Sequence, residues 1–124
     1  MVLIVDDAQA NLDYFVNLLE FSGYRTATAR DAKTALRLAL QVHPDLILSG
    51  VCMPEGSGYD FITEVKSDRR LSSIPFIFIA SAAKDGRNRR RGLAVGGVNF
   101  LFRPIEPQQL LKEIENCWAA KDKA

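Results

Sequence analysis

The 124-residue sequence has few of the residues that usually build metal centres or cross-link small folds. Its two cysteines, Cys52 and Cys117, are too far apart for a zinc-ligand spacing or a disulfide framework, and we interpret both as reduced thiols. The single histidine, His43, has no ligand partner near it in the sequence. No apolar run approaches the roughly 20 residues of a membrane span. The amino end resembles a strand rather than an export leader, so we expect a cytoplasmic protein.

The sequence also lacks an excess of positive or negative charge. Sixteen Lys and Arg residues nearly balance 15 Asp and Glu residues, which leaves a formal net charge of +1. Such a chain has no overall field that would attract it to nucleic acid or to an acidic membrane. The hydrophobic fraction of 48% and the charged fraction of 25% are typical of globular proteins. We expect one domain, residues 1–124, that is long enough to bury a core without disulfides.

Short apolar runs alternate with helical patterns along the chain. The three strongest runs, at 2–5, 45–48 and 75–79, do not alternate apolar with polar residues. That pattern is typical of strands buried on both faces of a parallel sheet. Weaker runs at 24–29 and 98–102 complete a set of five predicted strands.

Between these runs, apolar residues recur at the spacing of one helix face. The four clear stripes are Leu12, Phe15, Val16 and Leu19; Ala32, Ala35, Leu36, Ala39 and Leu40; Phe61, Ile62 and Val65; and Leu110, Leu111, Ile114, Cys117 and Trp118. Gly23 is suited to end the first helix, Ser57 to cap the third stripe with Asp60 three residues on, and Pro107 to begin the last helix. A further helix is expected over 82–95, although its centre has no apolar residue.

This alternation predicts an α/β fold, a three-layer α/β/α sandwich around a doubly wound, five-stranded parallel sheet. The common small arrangement of this kind is flavodoxin-like, with strand order 2-1-3-4-5. Ligands of such sheets bind beyond the carboxyl ends of the strands, at the switch point between strands 1 and 3. The candidate site is therefore expected at that edge.

Polar residues gather at these predicted strand ends. Asp6 and Asp7 follow the first strand, Gly50 ends the third, Ser81 the fourth and Arg103 the fifth. Paired carboxylates suit a hard cation such as Mg²⁺, and a basic group across the pocket suits an anion. A simpler interpretation is that Asp7 only caps the first helix.

In these motifs the chain resembles the receiver domains of two-component response regulators, over essentially all of its length. The motifs are Val5-Asp6-Asp7, Pro44-Asp45-Leu46-Ile47-Leu48, Met53-Pro54 with Gly58 four residues later, Ile74-Pro75-Phe76-Ile77, and Arg103-Pro104. Each alone is weak, but their order and spacing together are specific.

The resemblance implies a site in which a histidine kinase donates phosphate to an aspartate at the end of strand 3, assisted by Mg²⁺. It assigns Asp6, Asp7 and the backbone carbonyl of Cys52 to the metal. Ser81 would contact the phosphoryl group, although counting from Pro75 would place Ala80 there.

The resemblance also implies a basic residue at the phosphate, here Arg103, and an inward-turning switch aromatic, here Phe100. A partner surface would include Arg87, Arg91 and Phe102, although a solvated helix face is the favoured explanation of the basic run around 84–91. The implied partners are a histidine kinase and a phosphotransfer or output protein, with a homodimer left open and no direct contact to membrane or nucleic acid.

Two residues depart from the family pattern. The acceptor position, four residues before Pro54, is Gly50, which has no carboxylate to accept phosphate. The neighbouring Ser49 is predicted to face away, because successive strand residues point to opposite faces. Arg103 replaces the family's lysine, and the two are not interchangeable at a tight phosphate site. With two carboxylates instead of three, we expect weakened Mg²⁺ binding and no enzymatic activity.

Three functions remain open at this point. The first is a receiver-like interaction module that has lost the phosphorylation switch. The second is an ordinary receiver in which Gly50 is an introduced change. The third, a small-ligand-binding domain of the same fold, lacks a glycine-rich phosphate loop after strand 1 and a nucleophile elbow.

Overall fold

The computed structural model describes residues 1–50, 52–53, 56–81, 99–103 and 105–123. In chain order its elements are β1 (Val2–Val5), α1 (Gln9–Phe21), β2 (Thr26–Ala29), α2 (Ala32–Val42), β3 (Leu46–Gly50), β4 (Cys52–Met53), β5 (Gly56–Ser57), α3 (Gly58–Ser67), β6 (Phe76–Ser81), β7 (Asn99–Arg103) and α4 (Pro107–Lys123). Within these ranges, no helix is both long and apolar enough to cross a membrane.

The central sheet contains five parallel strands in the order β2-β1-β3-β6-β7. When only the strands of this sheet are counted, the order is 2-1-3-4-5, so the predicted flavodoxin-like topology is confirmed. All four residues of β1 and all five of β3 are buried. Burial of both faces explains why their sequences lack a polar–apolar alternation.

Helices cover both faces of the sheet and divide the core in two. One cluster joins alternate strand residues such as Leu3, Ile47 and Phe78 to the buried faces of α2 and α3. The other joins the intervening strand residues, including Ile4 and Leu48, to α1 and α4. The buried helix residues are members of the stripes predicted from the sequence, because helical spacing brings them onto one face.

The helix ends follow local chemistry. Gly23 has φ +94° and follows α1, where the Gly23 N–H donates to Glu20 O and the Tyr24 N–H to Leu19 O. This is the left-handed ending that favours glycine, as predicted. His43 ends α2 with φ 47°. The last helix begins at Pro107, also as predicted.

Asp31 caps α2 and supplies a test of these local rules. Its carboxylate accepts hydrogen bonds from Thr34 N at 2.7 Å and from Thr34 Oγ1 at 3.1 Å. The backbone hydrogen bond from Thr34, more than any other contact, lowers the pKa of Asp31 below its ordinary value. The folded state is therefore stabilised by the ionised carboxylate above the unfolded-state pKa, and that stabilisation is lost as pH falls through the folded-state pKa.

We expect Asp31→Ala to lower the Tm at neutral pH by about 4 °C, because two donors at the start of α2 lose their acceptor. Asp31→Asn, which keeps an acceptor oxygen, should lose less. Thermal unfolding followed by circular dichroism at neutral pH and in acid measures both. The wild type and Asp31→Ala should converge in acid, and an equal difference at both pH values would contradict the capping role.

A small antiparallel hairpin of β4 and β5 was not predicted. Cys52 pairs with Ser57 and Met53 with Gly56, immediately after β3. Two-residue strands give no usable periodicity, so pattern analysis misses them. Helix α3 begins at Gly58, directly after the predicted cap Ser57, with Asp60 in its first turn. The helix predicted over 82–95 lies outside the described residues.

Candidate functional site

Strand register brings the predicted site positions to one edge of the sheet. Val5 pairs with Ser49, so Asp6 follows β1 beside Gly50 at the end of β3. Gly50 pairs with Ile79 of β6, and Ser81 at the end of that strand pairs with Arg103 at the end of β7. Because parallel strands end at the same edge, these positions lie along one edge of the sheet.

Gly50 faces Asp6. A Cβ atom built on its backbone would lie 3.5 Å from Asp6 Oδ2 and 3.7 Å from the carbonyl oxygen of Val5. Both are ordinary van der Waals distances, so a Cβ at this position would fit beside the Asp6 carboxylate. The end of β3 therefore has no side chain beside Asp6.

Asp6 is buried, with 5% of its surface exposed, and the protein supplies its hydrogen-bond donors. Its Oδ1 accepts from Ala8 N at 2.9 Å and from Asn11 Nδ2 at 3.2 Å, and its Oδ2 accepts from Asn11 Nδ2 at 3.3 Å. A buried carboxylate is costly unless it is hydrogen-bonded in this way. The carboxylate is thereby held beside Gly50.

Asp7 lies in a different environment from Asp6. It is exposed, and its backbone carbonyl accepts from Arg30 Nη2 at 2.8 Å and from Arg30 Nε at 3.3 Å. The N-cap of α1 is Ala8, which makes no side-chain capping bond. The interpretation of Asp7 as the helix cap was therefore wrong, because the side chain that bonds this turn is that of Asp6.

The described residues do not fit a three-carboxylate magnesium site. Gly50 contributes no oxygen, and no group of three or more His, Cys, Asp or Glu side chains able to hold a metal occurs in the described ranges. Both acceptor positions of Asp6 Oδ1 are filled by protein donors. The backbone of Cys52, the third ligand predicted from the resemblance, lies in the β4–β5 hairpin.

Ser49 is buried at the end of β3, where it could be considered as a substitute acceptor. Its Oγ donates to the carbonyl oxygen of Gly50 at 2.9 Å. A hydroxyl held in this way has no base that could take its proton within the contacts it makes, so it is not an activated nucleophile.

Ala80 and Ser81 are the last two residues of β6. Ala80 is fully buried in the cluster that also contains the buried residues of α2 and α3. Ser81 is the next residue and pairs with Arg103. The assignment of Ser81 as the hydroxyl of the pocket stays a prediction.

Phe100 lies inside the fold. It is 5% exposed, and its ring centroid lies 5.5 Å from that of Phe78 and 5.1 Å from that of Phe102. Phe78 continues the contacts to Phe76 at 5.0 Å, and Phe76 to Phe61 of α3 at 5.6 Å. Phe102, predicted on a partner surface, is half-buried; the other predicted members, Arg87 and Arg91, lie outside the described residues.

Sequence reasoning missed Asn11 and Arg30. A signal for Arg30 was available, since it follows β2, which neighbours β1 at the same sheet edge. Asn11 had no comparable signal: its position in the first turn of α1 brings it to Asp6 only because the chain turns sharply after β1. Asn11 bonds the carboxylate of Asp6, and Arg30 bonds the backbone carbonyl of Asp7. Among the described contacts, these are more direct than any from the residues of the predicted phosphate pocket.

Comparison with known proteins places these features in context. The sequence profile of the response regulator receiver domain matches residues 2–115. The polar-differentiation response regulator DivK of Brucella ovis is 35% identical over 116 residues, which are 93% of each chain. The chemotaxis response regulator CheY4 of Vibrio cholerae is similar in structure, with a TM-score of 0.86 and 29% identity over 94% of this chain and 96% of that one. The receiver domain of a signal transduction histidine kinase from Syntrophus aciditrophicus is also similar in structure. Its TM-score is 0.87 and its sequence identity 30%, over 96% of this chain and 89% of that one.

Proposed function

The chain belongs to the response regulator receiver family, and on that premise we propose that it is a receiver without a phosphoacceptor, which acts by binding its signalling partners. The observation that carries the proposal is the direction of Gly50, whose missing side chain would project to within 3.5 Å of Asp6 Oδ2. Phosphoryl transfer to a receiver requires a carboxylate nucleophile at that point. Glycine supplies none, so the pocket has the shape of a receiver site without its reacting atom.

Neighbouring groups do not replace the acceptor. Asp6 is buried beneath donors from Ala8 and Asn11, which stabilise its charge and restrain its oxygens. Ser49 is bonded to the carbonyl of Gly50. In this proposal the protein has no catalytic residue and is not an enzyme.

The packing of Phe100, the switch aromatic implied by the resemblance, supports a single conformation of this side chain. Its ring is buried between Phe78 and Phe102. Displacing the ring outward would expose a large apolar surface and leave a cavity. We therefore propose that the interaction surface near β7 keeps one conformation, so that binding does not depend on phosphorylation.

Incubation with a small phosphodonor and Mg²⁺, followed by intact-mass measurement, tests the loss of the acceptor. The wild-type chain is expected to keep its unmodified mass. A second receiver with an intact acceptor, treated in the same tube, shows that the donor is active. Stoichiometric addition of one phosphoryl group to the wild type would contradict the proposal.

Binding assays test the second half of the proposal. Immobilised histidine kinases and phosphotransfer proteins of the source organism would be incubated with the chain, with and without phosphodonor. At least one partner is expected to bind with the same affinity under both conditions, after the partner's own phosphorylation has been removed. Affinity that rises strongly with phosphorylation of this chain would contradict it.

A further inference from the structure

Two side chains contact the segment that carries the acidic pair. The Asn11 carboxamide donates to both oxygens of Asp6, at 3.2 and 3.3 Å. The Arg30 guanidinium donates through two nitrogens to the Asp7 carbonyl, at 2.8 and 3.3 Å. Asn11 comes from α1 and Arg30 from the end of β2, so the two reach the pair from different elements.

We propose that Asn11 and Arg30 take the place of a divalent cation in this pocket. They would hold the segment after β1 in position and compensate the charge of Asp6 and Asp7, so that the conformation of the pocket does not depend on metal. The inference deepens the proposed function and rests on it, since it concerns the same pocket without its acceptor carboxylate.

The charges of the pocket support this assignment. A cation in a carboxylate cluster screens repulsion and fills lone pairs. Here Gly50 removes one carboxylate from the cluster, Asn11 and Ala8 N fill lone pairs of Asp6, and Arg30 provides a permanent positive charge at the backbone of Asp7. Arginine stays charged at all physiological pH values. The pocket therefore has less negative charge for a cation to neutralise, and fewer free lone pairs with which to bind one.

Asn11→Asp is the sharpest variant, because it converts the donor on Asp6 into a like charge with almost no change in size. In EDTA we expect its Tm to fall by about 4 °C or more, and Mg²⁺ to recover at least half of that loss. The wild-type Tm should change by less than about 1 °C between EDTA and Mg²⁺ at matched ionic strength.

Gln9→Glu is the matched control. Gln9 Nε2 donates to Asp13 Oδ1 at 2.9 Å on the exposed side of the same helix, so the same amide-to-acid change creates a like-charged pair away from the pocket. Its Tm should show no specific response to Mg²⁺. Arg30→Ala, measured in parallel, should lower the Tm in EDTA and make it rise with Mg²⁺, by less than in Asn11→Asp.

The results separate this inference from the proposed function. If Mg²⁺ raises the wild-type Tm as much as that of Asn11→Asp, or if Asn11→Asp and Gln9→Glu respond alike, the two side chains do not replace a cation and the inference is wrong. Either result can occur while the wild type remains unphosphorylated. Conversely, phosphorylation of the wild type overturns the proposed function even if its Tm ignores Mg²⁺.

Discussion

Gly50→Asp is expected to convert the chain from inert to phosphorylatable. A Cβ at this position meets only van der Waals contacts, the nearest at 3.5 Å, so the first side-chain atom of the aspartate is accommodated. Its carboxylate would stand beside Asp6 and Asp7 and restore a cluster of three. Treatment with a small phosphodonor and Mg²⁺ should add the mass of one phosphoryl group, which the wild type does not gain.

The same variant should become sensitive to Mg²⁺ in its stability. Without a cation the new carboxylate repels Asp6, and each pKa unit of that repulsion costs about 1.4 kcal/mol. Removal of glycine from the unfolded chain offsets roughly 0.5–1 kcal/mol of this cost. Urea unfolding in EDTA and in Mg²⁺ should therefore give clearly different midpoints for Gly50→Asp and equal midpoints for the wild type.

Gly50→Asn is the control for both measurements. It has nearly the shape of aspartate but neither charge nor nucleophile, so it should stay unmodified and indifferent to Mg²⁺. If Gly50→Asp is neither phosphorylated nor stabilised by Mg²⁺, the pocket differs from a receiver site at more than this position, with Arg103 as the next residue to restore to lysine.

Phe78→Ala is expected to have the largest effect on stability. Phe78 is fully buried, and its ring lies between Phe76 at 5.0 Å and Phe100 at 5.5 Å. Removing a buried phenylalanine ring costs about 3–5 kcal/mol, because contacts are lost and a cavity remains. Since domains are typically stable by only roughly 5–15 kcal/mol, much of the folded-state stability would be lost.

Phe21→Ala is the matched control for this substitution. Phe21 is 93% exposed on α1, so the same chemical change removes little buried surface. In urea unfolding, the free energies of unfolding of Phe78→Ala and Phe21→Ala should differ by most of the cost expected for removing the buried Phe78 ring. Equal midpoints would show that the row of phenylalanine rings does not form the centre of the core.

Much of the fold was readable from the sequence because buried parallel strands and one-sided helices leave different periodicities. The runs that became β1, β3 and β6 are buried on both faces, and no other element produces such short continuous apolar segments between helical stripes. Gly23 and Pro107 marked helix boundaries through backbone preferences that depend little on tertiary context.

The site was readable in outline and not in its contacts. Strand-end rules placed Asp6, Gly50 and Arg103 at one edge of the sheet, since topology alone fixes where parallel strands end. The roles of Asn11 and Arg30 depend on how the segment after β1 turns and on side-chain reach, which spacing does not encode. The same applies to Asp7, whose assignment as a helix cap failed because Asp6 occupies that turn.

The most direct test is a two-dimensional amide NMR spectrum of the wild-type chain, titrated with Mg²⁺ and beryllofluoride, a mimic of the phosphoryl group. A pocket without its acceptor, and with its own donors on the acidic pair, predicts no shifts at Asp6, Gly50, Phe100 or Arg103 beyond those caused by salt of equal ionic strength. Saturable shifts at these amides, returning on removal of either component, would contradict the account.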